Sequence, residues 1–278
     1  MKAAAFDYHR AESVDHALAL LREHGGRAKL MSGGQSLGPM LNLRLARPAV
    51  VVDISAVPAL RQVSEQDGRV RVGAAVTHAE IEDGRHAALR GHPLQRVAGG
   101  IAYRAVRNRG TVGGSLAHAD PAADWVLAMT ALGADIELAG AGGSRRVAAQ
   151  DFMQGAYATA VAEDELIAAV HVPCGGADAR WGYYKFCRKT GEFAEASCAA
   201  WFDPASRTAR IAVGALDGAP RLLPGLAAAV AAEGPAAASA PRIAQALEEV
   251  MQDKDAAHRK LHAAAVARCL ARALGSLE

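Results

Sequence analysis

The sequence predicts an α+β protein of two domains, on three observations. Apolar positions recur at both helical and strand spacing in each half of the chain. The pattern is broken by Pro173, Cys174, Gly175, Gly176, Ala177 and Asp178 just after a strand-like run, which marks a linker. With 278 residues, 51% of them hydrophobic, the chain exceeds the usual single-domain size and can bury a substantial core.

Each element follows from a local signal. Ser13 precedes Val14, Ala17, Leu18 and Leu21 at helical spacing, and Gly25 and Gly26 stop the run, so a capped amphipathic helix is expected. Ala28 to Met31 reads as a buried strand entering Ser32, Gly33, Gly34, Gln35 and Ser36, and residues 50–52 as a strand ending at Asp53. Residues 69–72 alternate as a half-buried strand does. Thr77 and Glu80 then form a capping-box pattern. A second glycine loop, Thr111, Val112, Gly113, Gly114 and Ser115, precedes a helix-like stretch from Ala122 to Leu132 that Asp120 and Pro121 introduce. Strands are expected near residues 134–138 and 165–172. Beyond the linker, residues 181–187, 196–201 and 208–213 read as three strands, with a turn at Asp203 and Pro204. The last third is helical: Gly234 and Pro235 interrupt the alanine-rich run 227–240, Ile243, Leu247 and Val250 form a stripe, and a terminal helix spans 255–274.

Composition excludes several classes of function. Only 5% of residues are aromatic and 31 basic residues are mixed with 29 acidic ones, which argues against stacked single strands or a phosphate-backbone partner. The N-terminus is unlike a secretory signal and no apolar run reaches membrane-spanning length, so a cytoplasmic chain with no membrane span is expected. Cys174, Cys187, Cys198 and Cys269 are too scattered for zinc or iron-sulfur spacing, so no metal is expected here.

A diphosphate needs converging backbone amides and small side chains that let it approach. Ser32 to Ser36 and Thr111 to Ser115 each place two glycines beside two hydroxyls, and together they can clasp a diphosphate from two sides. Each alone reads more simply as an ordinary tight turn. Neither matches the Rossmann or P-loop pattern. His118, Asp120 and Asp124 also admit a metal or acid-base reading, and Arg104, Arg107 and Arg109 an anion site, a docking patch or a solvated face.

The long run from Arg107 to Asp124, with residues 32–36, Pro39 to Pro48, Val52 to Ile54, Val72 to Ala74, Thr77 and His78, resembles the medium, FAD-binding subunits of the molybdenum hydroxylases, the carbon monoxide dehydrogenase and xanthine dehydrogenase family. Tyr184 to Phe186, Arg188, Gly191 to Ala194 and the strand from Ala196 extend the likeness over nearly the whole chain. The resemblance implies a vanillyl-alcohol-oxidase (PCMH) type FAD-binding domain over 1–175, with subdomains of about 1–55 and 56–175. A C-terminal domain, 178–278, then carries a three-stranded antiparallel sheet and helices. It places FAD against Ser32, Gly33, Gly34, Gln35, Ser36, Leu37, Thr111, Gly113, Gly114 and Ser115, with Asp124 and Lys185 as further contacts. Ile101 and Ile167 fall where relatives put apolar side chains beside the cofactor rings. Phe193 falls where some relatives have a phenol near the flavin. No catalytic side chain is implied, because the flavin carries the redox chemistry.

The same resemblance implies an oxidoreductase in which FAD passes electrons from a small [2Fe-2S] subunit to an external acceptor. A large molybdopterin subunit and an (αβγ)2 assembly complete the expectation. Two other readings stay open on the residues alone: a nucleotide-binding regulatory protein without turnover, and a self-contained flavin oxidase, for which no acid-base pair is evident.

Overall fold

In the computed structural model, which describes residues 2–275, three main sheets follow one another along the chain. The first contains β1 (Asp7–Arg10), β2 (Ala28–Met31) and β3 (Val50–Asp53) in the order β1-β3-β2, all parallel. Helix α1 (Val14–His24) crosses between β1 and β2. The Ser13 side chain accepts from the His16 amide, Gly25 ends the helix at φ 54°, and Ala17, Leu18, Leu20 and Leu21 are buried. Because β2 runs parallel to its neighbour, residues 32–36 emerge from the carboxyl end of the sheet and lead into α2 (Leu37–Asn42).

The second sheet is antiparallel and joins β4 (Val63–Gln66), β5 (Arg69–Gly73), β6 (Asp135–Gly140), β7 (Gly143–Ala148) and β10 (Leu166–Pro173) in the order β4-β5-β10-β6-β7. Strands β8 (Met153–Gly155) and β9 (Ala158–Thr159) form a separate hairpin. Helices α3 (His78–Glu82), α4 (Pro93–Gly99), α5 (Arg104–Arg107), α6 (Val112–His118), α7 (Asp124–Leu132) and α8 (Ala149–Phe152) accompany this sheet. The capping box at Thr77 and Glu80 forms in full. Asp120 does not start a helix. Its carboxylate accepts from the Ala122 amide at 2.9 Å, so Asp120 to Ala123 make a turn and α7 begins at Asp124.

The C-terminal sheet departs from expectation. It has four antiparallel strands, not three: β11 (Arg180–Phe186), β12 (Ala196–Asp203), β13 (Thr208–Gly214) and β14 (Arg221–Leu222). The added strand pairs only Arg221 with Val213 and Leu222 with Ala212, too short a segment to show an alternating pattern. Helices α9 (Pro224–Glu233), α10 (Ala240–Val250) and α11 (Ala256–Leu274) follow, the last capped by Asp255.

This sheet is buried on both faces. Trp181, Tyr183, Ala199 and Ala212 join the core around α7, whereas Cys198, Ala200, Phe202, Ile211 and Val213 join the core of α9 to α11. Every residue of α7 is buried, because the helix lies between the second sheet and the C-terminal one. The continuous apolar runs of β12 and α7 follow from that double coverage.

Candidate functional site

The two glycine segments meet. The Thr111 hydroxyl donates to Ser32 Oγ at 3.1 Å across 79 residues of chain. A Cβ at Gly33 would lie 1.9 Å from the Arg109 carbonyl oxygen, so only glycine lets this loop rest on the Arg109–Gly110 backbone. A Cβ at Gly113 would meet Ala74 Cβ at 2.4 Å, which ties the second segment to the end of β5. Gly34 holds φ 69°. Leu37, half-buried, opens α2 directly behind.

The segments are not equivalent. Among the described residues, the amides of Gly33, Gly34, Gln35 and Ser36 donate to no protein acceptor, and Gln35 merely returns its side-chain amide to Gly33 O at 3.3 Å. Four consecutive unclaimed amides at a glycine turn are donors of the kind that an anion can take. Residues 111–115, expected as a loop, are instead the N-cap and first turn of α6. Thr111 Oγ1 accepts from the Gly114 amide at 3.1 Å, and Val112, Gly113 and Ser115 donate to Val76, Ala74 and Thr111 carbonyls. This segment therefore brings hydroxyls and close packing, with its amides already occupied.

Beneath the second segment lies a pair that sequence reasoning missed. The His78 amide donates to Gly110 O at 2.9 Å, and a Cβ at Gly110 would lie 2.8 Å from His78 Nε2. His78 Nδ1 accepts from Trp125 Nε1 at 3.1 Å, which leaves the ring proton on Nε2. Burial, with the Arg107 cation second, pushes the His78 pKa down from 6.5 to about 3.

Asp124 and Lys185 come together as a second cluster. Lys185 Nζ donates to both Asp124 oxygens, at 2.9 and 3.1 Å, and to Gly100 O at 2.8 Å. The Tyr183 hydroxyl donates to the same carboxylate, and burial followed by the Asp124 charge raises its pKa well above the usual phenol value. Tyr183 went unnoticed in the sequence, although its place two residues before Lys185 puts both on one face of β11.

Ile101 neighbours Gly100 and is half-buried. Its carbonyl accepts from Arg107 Nη1 at 2.9 Å. Arg107 is itself no solvated face: its side chain is 12% exposed and pairs with Glu82. Arg104 also pairs with Glu82 and Asp83, while Arg109 remains exposed. Ile167 is buried on β10, beside Ala168, whose carbonyl accepts from the Ala74 amide at 3.0 Å. Phe193 is 63% exposed, so it does not serve as a core residue. Two residues before it, Gly191 at φ 91° faces the Tyr103 ring, which a Cβ would meet at 2.9 Å.

His118, Asp120 and Asp124 go separate ways. His118 rests on the Tyr157 ring at 5.2 Å, Asp120 caps its turn, and Asp124 pairs with Lys185. They share no ligand geometry.

This arrangement suits a flavin dinucleotide: the Gly33 loop offers free amides to a diphosphate, and a Cβ at Gly33 or Gly113 would strike the Arg109 or Ala74 backbone and push apart the packing that seats the two segments. The sequence pattern of a family described as the FAD binding domain in molybdopterin dehydrogenase matches residues 4–175. The carbon monoxide dehydrogenase medium chain of Hydrogenophaga pseudoflava is 39% identical over 194 residues, 70% of this chain and 68% of that one. The nicotine 6-hydroxylase medium subunit of Paenarthrobacter nicotinovorans is 40% identical over 218 residues, 77% of this chain and 76% of that one. A solved structure of carbon monoxide dehydrogenase from Hydrogenophaga pseudoflava superposes with a TM-score of 0.91 at 31% identity, covering 100% of both chains. The chain therefore belongs to the FAD-binding family of the molybdopterin dehydrogenases, an oxidoreductase family, as a relative of their medium subunits.

Proposed function

We propose that this chain is the electron-transferring subunit of a heterotrimeric molybdenum hydroxylase, receiving electrons from the [2Fe-2S] clusters of a small partner and delivering them through FAD to an external acceptor. A large molybdopterin-carrying partner completes the complex, as an (αβγ)2 assembly in the cytoplasm. The observation that carries the reading is the junction of Ser32 with Thr111, which brings the two distant glycine segments together beside the free amides of residues 33–36. FAD, when bound, supplies redox chemistry that no side chain offers.

The chain's own residues bind and orient. The Gly33 to Ser36 amides and the Ser32, Ser36 and Ser115 hydroxyls would hold the diphosphate and ribityl chain, with Thr111 orienting the Ser32 hydroxyl and Gly113, Gly114 and Leu37 shaping the cradle. Lys185 fixes Asp124 and the Gly100 carbonyl beside it. Ile101 and Ile167 would lie beside the cofactor rings, and Phe193, exposed on its loop, would lie near the flavin without a phenol to hydrogen-bond it. We assign residues 1–175 to a two-subdomain FAD domain, divided near residue 55, and 178–278 to the C-terminal domain. The relatives act on different substrates, carbon monoxide in one and nicotine in another. That diversity supports substrate choice lying in the molybdopterin partner.

The test is anaerobic reduction of the chain purified with its native partners. Flavin, iron and molybdenum are expected to co-purify, and flavin absorbance to bleach after substrate is added. A flavin that dithionite bleaches but the co-purified complex never does would leave a nucleotide-binding regulatory protein.

A further inference from the structure

The segment Gly100 to Tyr103 is held in a way that the cradle does not require. Its three leading carbonyls are each claimed by a cation: Gly100 O by Lys185 at 2.8 Å, and Ile101 O and Ala102 O by a single Arg107 nitrogen at 2.9 and 3.0 Å. Ala102 sits at φ 41°, a left-handed conformation that costs a residue bearing a Cβ roughly 1 kcal/mol and relaxes unless its surroundings hold it.

Arg107 has no freedom of its own. Its other nitrogens form a two-pronged pair with Glu82, at 2.8 and 2.9 Å, and Glu82 also accepts from Arg104 at 2.8 Å. Arg104 is in turn forked onto Asp83 at 2.7 and 2.8 Å. The guanidinium is thus anchored on α3 by one edge and grips the turn with the other. The grip extends further, because the Tyr103 ring lies against Gly191 on the loop that bears Phe193.

We propose that Arg107, anchored by Glu82, is a positioning residue that sets the Ile101–Ala102 turn as a wall of the flavin site and so tunes both affinity for the flavin and its reduction potential. It acts through the backbone of its neighbours and touches no reacting atom. The proposal rests on the placement of Ile101 beside the flavin given above.

The experiment compares Arg107→Met, Ile101→Ala and a control, Arg71→Met, in the full chain purified with its partners. Arg71 is a partly buried arginine on the second sheet that pairs with Glu137 at 3.2 Å and makes no hydrogen bond to the Gly100–Ala102 carbonyls. FAD dissociation constants and flavin midpoint potentials are measured for each. Arg107→Met is expected to weaken FAD binding at least about tenfold, the scale of one lost charged hydrogen bond, and to shift the potential, whereas Arg71→Met leaves both as in the wild type. If Arg107→Met does not fold, Glu82→Gln takes its place, with weakening of at least about threefold expected, since it keeps one acceptor but loses the charge and one prong of the pair with Arg107. Unchanged affinity and potential in the folded variant, alongside a clear effect of Ile101→Ala, would overturn this proposal alone. No effect of either would overturn the placement of Ile101 as well.

Discussion

A histidine that cannot take up a proton makes stability depend on pH. The indole of Trp125 donates to one nitrogen of His78, and burial together with Arg107 brings its pKa down to about 3. In the unfolded chain the same imidazole titrates near 6.5. Between these values the unfolded state binds the proton and the native state does not, so stability is full above about pH 6.5 and falls as the pH drops toward 3. Each pH unit in that window removes up to about 1.4 kcal/mol. Denaturant unfolding of the wild type and of His78→Asn from pH 7 to pH 4 checks the sign: the variant's stability is expected to fall less steeply.

At the scale of elements, α6 is the joint between the glycine segments. Thr111 caps it through the Gly114 amide and donates to Ser32 with the same hydroxyl. Thr111→Ala is therefore expected to cost about 1–2 kcal/mol, a cap and a hydrogen bond together, while Thr111→Ser keeps most of that stability and the bound flavin. Thermal melts of the two variants with and without FAD decide the matter. This joint also shows what the sequence could and could not convey. Ser13, the Thr77–Glu80 box and the apolar runs of β2, β3 and β12 carry local signals, and those elements form where expected. Gly113 and Gly114 stood out as a pair, yet their local pattern fits a loop and a helix start equally, and only the Val76 and Ala74 carbonyls settle it as helix. The two-residue β14 is too short to show a pattern, and the grip of Arg107 on Ile101, though only six residues away, is a side-chain contact to a carbonyl that no apolar spacing announces.

At the scale of the molecule, α7 and β11 join the chain before the linker to the chain after it. Lys185, 13% exposed, supplies the cation for Asp124, and Tyr183 is the only other side-chain donor to that carboxylate among the described residues. Lys185→Met strands a buried carboxylate and is expected to destabilise the apoprotein by about 3 kcal/mol, with faster proteolytic cleavage in residues 174–179. Unchanged denaturation and cleavage would show that the apolar contacts around α7 hold the two parts together unaided. The contact between Ser32 and Thr111 has a consequence for biosynthesis. It closes a loop of 79 residues, and it forms only once the second sheet has put Ala74 and Val76 in place for α6. A ribosome that has released only the first sheet has made half a cradle. Flavin loading is thus expected to be a late event in the life of the polypeptide, after both glycine segments and the second sheet have formed.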